Sequence, residues 1–290
     1  MTGHLYETGF LKKAVFLRQL IFALKNLFIH GGFLPALWGP SLLLVSTVLL
    51  ESRCRPLTWG ICFMLPLTVY AYDYLADLEG DSLTNSDRAE FNRRWGEWLL
   101  GAYAGVLLAL LLLCMDPLIM VLTASMFITG ILYSRFFKGL TAYLTGFKNI
   151  YLGLVWSSWT TIPAMGGRSL PAHILVFTFI FLKVYVNTAF SDYKDVESDA
   201  MMGLKTLPAV FGENNSLMIL QLLNALGAAT LSLGVLTRLI PGIGAVAVIL
   251  SSYTALYLHL KPVMDVKTAT LIADLEGPLH LILLLGGHEG

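Results

Sequence analysis

The sequence predicts an all-α, polytopic membrane protein with about nine transmembrane helices packed in a bundle. Of its 290 residues, 56% are hydrophobic and only 13% are charged, whereas a soluble domain carries about 25% charged residues. The chain also contains nine apolar segments of about 20 residues, the length that crosses a bilayer as a helix. Helices are the predicted form because lipid cannot satisfy free backbone hydrogen-bonding groups.

The predicted spans follow one another without a low-complexity linker, so the whole chain, 1–290, is predicted to be one transmembrane domain. The spans cover approximately residues 30–50, 57–77, 96–115, 117–136, 146–165, 171–191, 215–237, 242–260 and 268–286. Between Lys12 and Asn26, polar residues recur at sevenfold spacing and would form one stripe on a helix. Residues 1–29 are therefore expected to form an interfacial amphipathic helix that leads into the first span.

The distribution of basic residues orients this bundle. With nine spans, fourteen Lys and Arg residues fall on the side of the N-terminus, and four fall on the other side, Arg53, Arg55, Arg168 and Arg238. Cytoplasmic loops carry the excess of basic residues, so the loops 78–95 and 192–213 are predicted to be cytoplasmic in a multi-pass protein of the cell membrane. The formal net charge is zero, so no nucleic-acid partner is expected.

Two similar acidic clusters follow apolar segments, and both fall on the predicted cytoplasmic side. The first, DYLADLEGD, and the second, DYKDVESD, supply the acids Asp73, Asp77, Asp81, Asp192, Asp195 and Asp199. On a helix, these spacings of three or four residues place each set of acids on one face. Like charges at that spacing repel, and the loss of water near a membrane raises the cost. A bound cation is therefore expected between them.

Magnesium is the cation that these side chains suit. Carboxylate oxygens bind hard ions, and magnesium usually takes one or two carboxylates while it keeps waters and phosphate oxygens as other ligands. Two facing clusters are therefore expected to hold two Mg²⁺ ions through the six aspartates, with Mn²⁺ as a substitute.

Polar side chains that suit a diphosphate surround both clusters. They are Asn85, Arg88, Tyr133, Lys138, Lys148, Lys194 and Lys205. In a magnesium–diphosphate complex the ions bridge carboxylates to phosphate, and Lys or Arg takes the remaining charge. The alternative for each lone Lys or Arg is a charge that only sets the topology.

The second cluster and the residues after it carry a family resemblance. The motif D-x-x-D-x-x-x-D followed by G-x-x-T-L-P is matched by Asp192, Asp195, Asp199, Gly203, Thr206, Leu207 and Pro208. Through this motif the chain resembles the UbiA superfamily of intramembrane prenyltransferases, and the resemblance extends over nearly its whole length. Ser198 stands where a Gly is common.

Three other stretches resemble the same superfamily. The first cluster is similar to the family motif N-D-x-x-D-x-x-x-D with a following Asn and Arg, matched at Asp77, Asp81, Asn85 and Arg88. It departs from that motif where Asp73 and Tyr74 replace Asn and Asp. The Y-S-x-x-x-K stretch of the family is matched at Tyr133, Ser134 and Lys138, and Lys25 lies near the position of a family Arg.

The resemblance implies an Mg²⁺-dependent prenyltransferase whose helices surround a central cavity. In this family, magnesium and aspartates hold the diphosphate of an isoprenoid donor, and a small aromatic or lipid acceptor traps the allylic cation after C–O cleavage. It further implies that the diphosphate contacts include Lys25 and that the catalytic residues are Asp77, Asp81, Asp195 and Asp199. A cavity poor in water is needed, and its candidate aromatic lining is Tyr70, Tyr72, Tyr74, Trp156, Trp159 and Tyr185.

Other functions compete with this interpretation. A UbiA-type terpene cyclase would use the same ionisation step, with an internal double bond as the trap. A divalent-cation transporter would also place carboxylates in a membrane, although Arg88 and Lys205 beside the clusters disfavour a pure cation path. A CDP-alcohol phosphotransferase would carry its acids in one continuous motif, unlike the separated clusters here. The roles of three intramembrane residues are left open. Lys183 fits either a cavity role or simple hydrogen bonding, whereas Asp274 and Glu276 fit a lining pair, a broken helix or a misplaced ninth span.

Overall fold

A computed structural model describes residues 25–286, and that part of the chain consists of helices joined by short turns. Nine of the helices have ten or more residues. After a single helical turn, Phe33–Ala36, the helices in chain order are α1 (Trp38–Leu49), α2 (Pro56–Ala76), α3 (Leu78–Thr84), α4 (Ser86–Cys114), α5 (Pro117–Leu132), α6 (Phe147–Thr161), α7 (Leu170–Ser191), α8 (Val196–Met201), α9 (Leu207–Leu236), α10 (Gly244–Leu260), α11 (Val266–Asp274) and α12 (Glu276–Gly286). The predicted interfacial helix 1–29 lies outside the described residues except for residues 25–29, which are helical.

The all-α, polytopic membrane fold is confirmed. Five helical stretches are long and apolar enough to cross a membrane, Ser86–Cys114, Pro117–Phe137, Leu170–Lys194, Leu207–Leu236 and Gly244–Val263. Large apolar side chains on them, such as Leu113 and Leu222, are exposed, as lipid contact requires. Helix α1 packs against α2 and α12, and the ring continues through α10, α9, α7, α6 and α5 back to α2, with α4 outside α2.

Two predicted span boundaries were wrong because hydropathy detects only the part of a helix that faces lipid. Helix α4 begins at Ser86 rather than at residue 96, so most of the predicted loop 78–95 is helical. Its polar first turn is capped by Asn85, whose side chain accepts a hydrogen bond from the backbone nitrogen of Arg88. Helix α9 begins at Leu207 rather than at residue 215, with a kink at Gly212, where φ is 73°.

A proline in α2 explains how closely α1 approaches it. Pro66 has no N–H, so the carbonyl oxygen of Cys62 lacks the donor that the fourth residue along a helix normally supplies. Gly39 of α1 packs onto this carbonyl, and a Cβ at Gly39 would lie only 1.9 Å from the oxygen. The position therefore requires glycine.

A second proline breaks the ninth predicted span. Of the alternatives that the sequence left open for this span, the broken helix is therefore the one observed. Helix α11 ends at Asp274 and α12 begins at Glu276. Pro278 cannot donate to the carbonyl of Asp274, four residues earlier. The indole nitrogen Nε1 of Trp38 donates to that carbonyl instead, at 3.2 Å. Two consecutive residues of α1, Trp38 and Gly39, thus contact two different helices at carbonyls that prolines leave available.

The loops at the end of the bundle remote from the aspartate clusters are tied to one another. Arg168 forms an ion pair with Glu51 at 2.5 Å and donates to the carbonyl of Arg238 at 3.4 Å. Arg55 donates to the carbonyl of Cys114 at 3.2 Å. The four basic residues assigned from the sequence to one side therefore do lie at one end of the bundle, and the aspartate clusters lie at the other.

Candidate functional site

A cavity of about 2130 Å³ lies at the aspartate end of the bundle and extends between the helices. Both acidic clusters contribute to its wall. Its charged lining comprises Lys25, Asp73, Asp77, Asp81, Asp87, Arg88, Glu90, Arg94, Lys148, Lys194, Asp195, Asp199 and Asp274. With eight acids and five bases in this list, the lining has an excess of negative charge and favours a cationic or cation-bearing ligand.

The first cluster does not form one continuous helix, as the spacing had predicted, because the chain breaks at Asp77. Asp73 lies in the last turn of α2, Asp77 has φ −113° and ψ 24°, and Asp81 lies in α3. The helical hydrogen bonds nevertheless continue across the break. Asp77 N donates to Asp73 O at 3.0 Å, and Asp81 N donates to Asp77 O at 2.8 Å. The three acids therefore remain one turn apart despite the break.

The second cluster repeats this geometry. Asp192 begins a 3₁₀ turn that ends at Lys194, and Asp199 lies in α8. Between them, Asp195 has φ −113° and ψ 9°, nearly the backbone angles of Asp77. Asp199 N donates to Asp195 O at 2.8 Å. The similarity of the two sequences thus corresponds to a shared backbone form, in which the middle aspartate sits at a helix break.

Arg88 neutralises the buried carboxylate of Asp81. The guanidinium binds it through two nitrogens, with Nε at 2.7 Å from Oδ2 and one terminal nitrogen in contact with Oδ1. The guanidinium carbon also lies 4.7 Å from the centre of the Tyr74 ring, in a cation–π contact. The Arg88 guanidinium is therefore held at the cavity wall, where its N–H groups could also bind phosphate oxygens.

Asp192 has a different environment from the other five aspartates. It is fully buried and is not part of the cavity lining. Lys148 Nζ contacts its Oδ1 at 2.6 Å, and Asn149 Nδ2 donates to its Oδ2 at 3.0 Å. Because Lys148 itself lines the cavity, Asp192 serves to hold that ammonium group in place.

Asp199 lies beyond the apolar stretch Leu170–Lys194, and its pKa is raised. Burial, followed by the negative charges of Asp192 and Asp195, raises the pKa of Asp199 to about 6, against the opposing effect of Lys148. The carboxyl is therefore ionised at neutral pH and becomes neutral below pH 6. The second cluster also faces the first, since the charge of Asp195 acts on the Arg88 guanidinium.

Most of the predicted diphosphate residues line the cavity. These are Lys25, Asn85, Arg88, Tyr133, Lys148 and Lys194. Lys205 does not, because its side chain is exposed elsewhere. Its backbone instead joins two loops, since Lys205 N donates to Thr141 O at 2.8 Å and Gly146 N donates to Lys205 O at 2.9 Å. The backbone of Lys138 begins a 3₁₀ turn, and its side chain lies outside the described part of the chain.

The donor set fits magnesium completed by a ligand. Within residues 25–286, no group of three or more His, Cys, Asp or Glu side chains is arranged to hold a metal ion by itself. The carboxylates of both clusters nevertheless share one cavity. Magnesium often takes only one or two protein carboxylates and completes its shell with water and phosphate oxygens, so this arrangement suits an ion that arrives with its phosphate.

The deeper part of the cavity is apolar and aromatic. Of the six predicted aromatic residues, four line it, Tyr70, Tyr74, Trp156 and Trp159. Tyr72 and Tyr185 do not, and the hydroxyl of Tyr72 accepts a hydrogen bond from Arg135 Nε at 2.7 Å. Leu65 and Met126 add further apolar surface to the wall. The cavity thus combines an ionic mouth with an interior that can accommodate a hydrocarbon chain.

Two residues of this region were not assigned to the site from the sequence. Asn149 was noted only as a neighbour of Lys148, because its contact partner, Asp192, is 43 positions away in the chain. Asp274 was noted as an oddity of the last span, and it lines the cavity. A polar residue inside an apolar span was the available signal for Asp274, because such residues usually face the interior of a bundle.

Comparison with protein families gives one match that covers most of the chain. The model described as the UbiA prenyltransferase family matches residues 32–271. Among curated proteins, the chain is similar to the digeranylgeranylglyceryl phosphate synthase of Methanopyrus kandleri, with 43% identity over 56 residues. That alignment spans 19% of this chain and 20% of the relative, so the chain matches about a fifth of that protein's length.

Two solved structures share the fold. A UbiA homolog from Aeropyrum pernix K1 is 18% identical, with a TM-score of 0.66 over 86% of this chain and 97% of that one. A UbiA homolog from Archaeoglobus fulgidus, bound to DMAPP and Mg²⁺, is 16% identical, with a TM-score of 0.59 over 90% of this chain and 99% of that one. At these identities the likeness is one of fold.

Proposed function

Because this chain belongs to the UbiA prenyltransferase family, we propose that it transfers a prenyl group from a prenyl diphosphate to a small aromatic or lipid acceptor and releases diphosphate. The observation that carries this proposal is the single cavity in which two aspartate clusters, basic side chains and an aromatic interior meet. The Archaeoglobus fulgidus homolog has been solved with DMAPP and Mg²⁺ and also with GPP and Mg²⁺, which supports the donor class.

The two clusters would hold magnesium through the five aspartates that line the cavity, Asp73, Asp77, Asp81, Asp195 and Asp199. When bound, magnesium neutralises charge on the leaving diphosphate. The protein itself contributes basic groups, since the Arg88 fork and the Lys148 ammonium both lie at the wall. Asp192 would act through Lys148, which it holds by a 2.6 Å contact.

The aromatic interior would receive the prenyl chain. Aromatic faces such as those of Trp156 and Tyr70 can stabilise a developing allylic cation. The apolar wall also excludes water, which would otherwise trap that cation as an alcohol. The same residues would therefore serve both binding of the chain and protection of the reactive carbon.

We expect a non-hydrolysable prenyl thiodiphosphate to bind the purified protein only when Mg²⁺ or Mn²⁺ is present. The cavity lining is negatively charged, so the anion needs the metal as a bridge. Titration calorimetry with geranyl thiodiphosphate, with and without EDTA, measures this. Binding should weaken below pH 6, where Asp199 becomes neutral. Tight binding in EDTA would contradict the bridged arrangement and assign the anion to the basic residues alone.

The acceptor requires a separate assay. Radiolabelled geranyl diphosphate is incubated with a phenol, a naphthol or a prenylated glyceryl phosphate, the last because one relative is named for such a lipid. Mass spectrometry then identifies the product. A cyclic hydrocarbon formed without acceptor would favour the cyclase alternative, and Mg²⁺ uptake into proteoliposomes without any transfer would favour a transporter.

We propose that the aspartate end of the bundle faces the cytoplasm, as the excess of basic residues at that end supports. In a background without Cys54, Cys62 and Cys114, single cysteines are placed at Glu197 and Thr237, both exposed and at opposite ends. An impermeant maleimide should label Thr237→Cys on intact cells and Glu197→Cys only after lysis. The reverse pattern would invert the orientation.

A further inference from the structure

The ninth span carries a carboxylate that the aspartate motifs do not include. Asp274 is the last residue of α11 and lines the cavity. Its charge acts on the hydroxyls of Tyr70 and Tyr74, as does the charge of Asp73, so it lies in the same electrostatic environment as the first cluster. Among the residues that the structure describes, no side chain donates a hydrogen bond to the Asp274 carboxylate. Lys194 acts on it only through its charge.

The backbone holds Asp274 firmly at this position. Trp38 Nε1 donates to the Asp274 carbonyl at 3.2 Å, and a Cβ at Gly277 would lie 2.8 Å from the Trp38 ring, so the break is packed tightly. Two residues beyond Asp274, the buried carboxylate of Glu276 is bound by Lys183 at 2.6 Å and by Tyr257 at 3.0 Å. These contacts fix the backbone of Asp274, and with it the point on the cavity wall from which its side chain extends.

The place of Asp274 at the end of α11 leaves its carboxylate available to a ligand in the cavity. Asp274 lies at the C-terminus of a helix, where the helix dipole disfavours a negative charge. It is partly buried near Tyr70 and Tyr74, and within residues 25–286 no cationic side chain is hydrogen-bonded to it, so a hydroxyl group of a ligand could donate to it.

The geometry points to Asp274 as the residue that binds the acceptor and takes its proton, and to an acceptor that reacts through a neutral hydroxyl group. This inference rests on the proposed prenyl transfer. The acceptor O–H would donate to the carboxylate. As the acceptor oxygen bonds to the prenyl carbon, the diphosphate oxygen leaves with the electrons of the C–O bond, and the proton passes to Asp274 and later to water. An acceptor with a carboxylate next to its reacting group would be repelled.

The test separates donor binding from transfer. Asp274→Asn keeps the size of the side chain and removes the base, so transfer of a geranyl group to the phenol or glyceryl phosphate acceptor should fall about 10²-fold or more in kcat. The KM for geranyl diphosphate and the Mg²⁺-dependent affinity for geranyl thiodiphosphate should stay within about threefold. Asp274→Glu should recover part of the lost rate, because it restores a carboxylate.

Asp265→Asn is the matched control. It makes the same change at the other end of α11, where Asp265 accepts from Thr268 N as the N-cap, a role that Asn fills equally well. Normal transfer in Asp274→Asn would overturn the inference and leave the proposed function standing. Loss of affinity for geranyl thiodiphosphate in that variant would have the same consequence. A parent protein that neither binds the analogue nor transfers a prenyl group would overturn the proposed function and this inference together.

Discussion

Asp77→Asn and Asp195→Asn should each lower turnover by about 10²–10³-fold while the protein remains folded. Both residues sit at the same kind of helix break, with φ −113°, and both line the cavity. The change to Asn is nearly isosteric and removes one negative charge from a proposed magnesium ligand. Loss of one preorganised electrostatic stabiliser typically has an effect of this size, and loss of an ion would have a larger one.

Asp73→Asn provides the informative contrast. Asp73 stands where the resemblance places an Asn, and it lies one helical turn before Asp77 in the hydrogen-bonded series. If it only replaces that Asn, turnover should stay within about tenfold of the parent. If it is a ligand, the loss should equal that of Asp77→Asn.

Turnover is measured with saturating Mg²⁺ and geranyl diphosphate, and melting temperatures in detergent confirm folding. Glu97→Gln is the control, since Glu97 is an exposed carboxylate of α4 that does not line the cavity. Near-normal activity in both Asp77→Asn and Asp195→Asn would exclude the metal-bridged mechanism for this protein.

Lys183→Met should destabilise the bundle by about 3–5 kcal/mol, because it leaves a buried charge without its partner. The side chains of Lys183 and Glu276 are 3% and 1% exposed, and their charged atoms are 2.6 Å apart. Thr254 and Tyr257 also donate to the Glu276 carboxylate, so three helices, α7, α10 and α12, meet at this pair. The double variant Lys183→Met with Glu276→Gln should recover most of the loss, since neither charge remains.

Unfolding in mixed micelles of increasing SDS fraction measures these free energies. Lys261→Met is the control, because Lys261 pairs with Glu213 at 3.1 Å and the Glu213 side chain is 47% exposed. The Lys261 side chain is itself only 9% exposed and lies over the Tyr193 ring, but its partner reaches solvent, so Lys261→Met should destabilise the protein less than Lys183→Met. If Lys183→Met and Lys261→Met lower the free energy of unfolding equally, the larger cost expected for breaking the buried Lys183–Glu276 pair is contradicted.

The spans were predictable from the sequence because lipid imposes a length and a hydropathy on every crossing helix. The resemblance to the UbiA family, which also came from the sequence, was confirmed by the family model that matches residues 32–271. The break at Asp274 was harder to predict, since it depends on Pro278 and on an indole from α1 that lies 236 positions away. Local periodicity carries no information about such a partner.

The acidic clusters were recognisable from their repeat, and five of their six aspartates line the cavity. The exception, Asp192, could not be distinguished by sequence, because its spacing is the same whether it faces a ligand or a lysine. Its contacts are with Lys148 and Asn149, which lie in the first turn of another helix, α6. The metal and diphosphate roles stay predictions until they are measured.

The loop after the second cluster is joined to the turn after α5 through the main chain of Lys205. Any residue with a backbone N–H can make these two hydrogen bonds, and proline cannot. The junction therefore depends on the backbone at this position and not on the basic side chain. A change that removes the N–H, such as proline, would break the hydrogen bond to Thr141 and loosen the connection between the two loops.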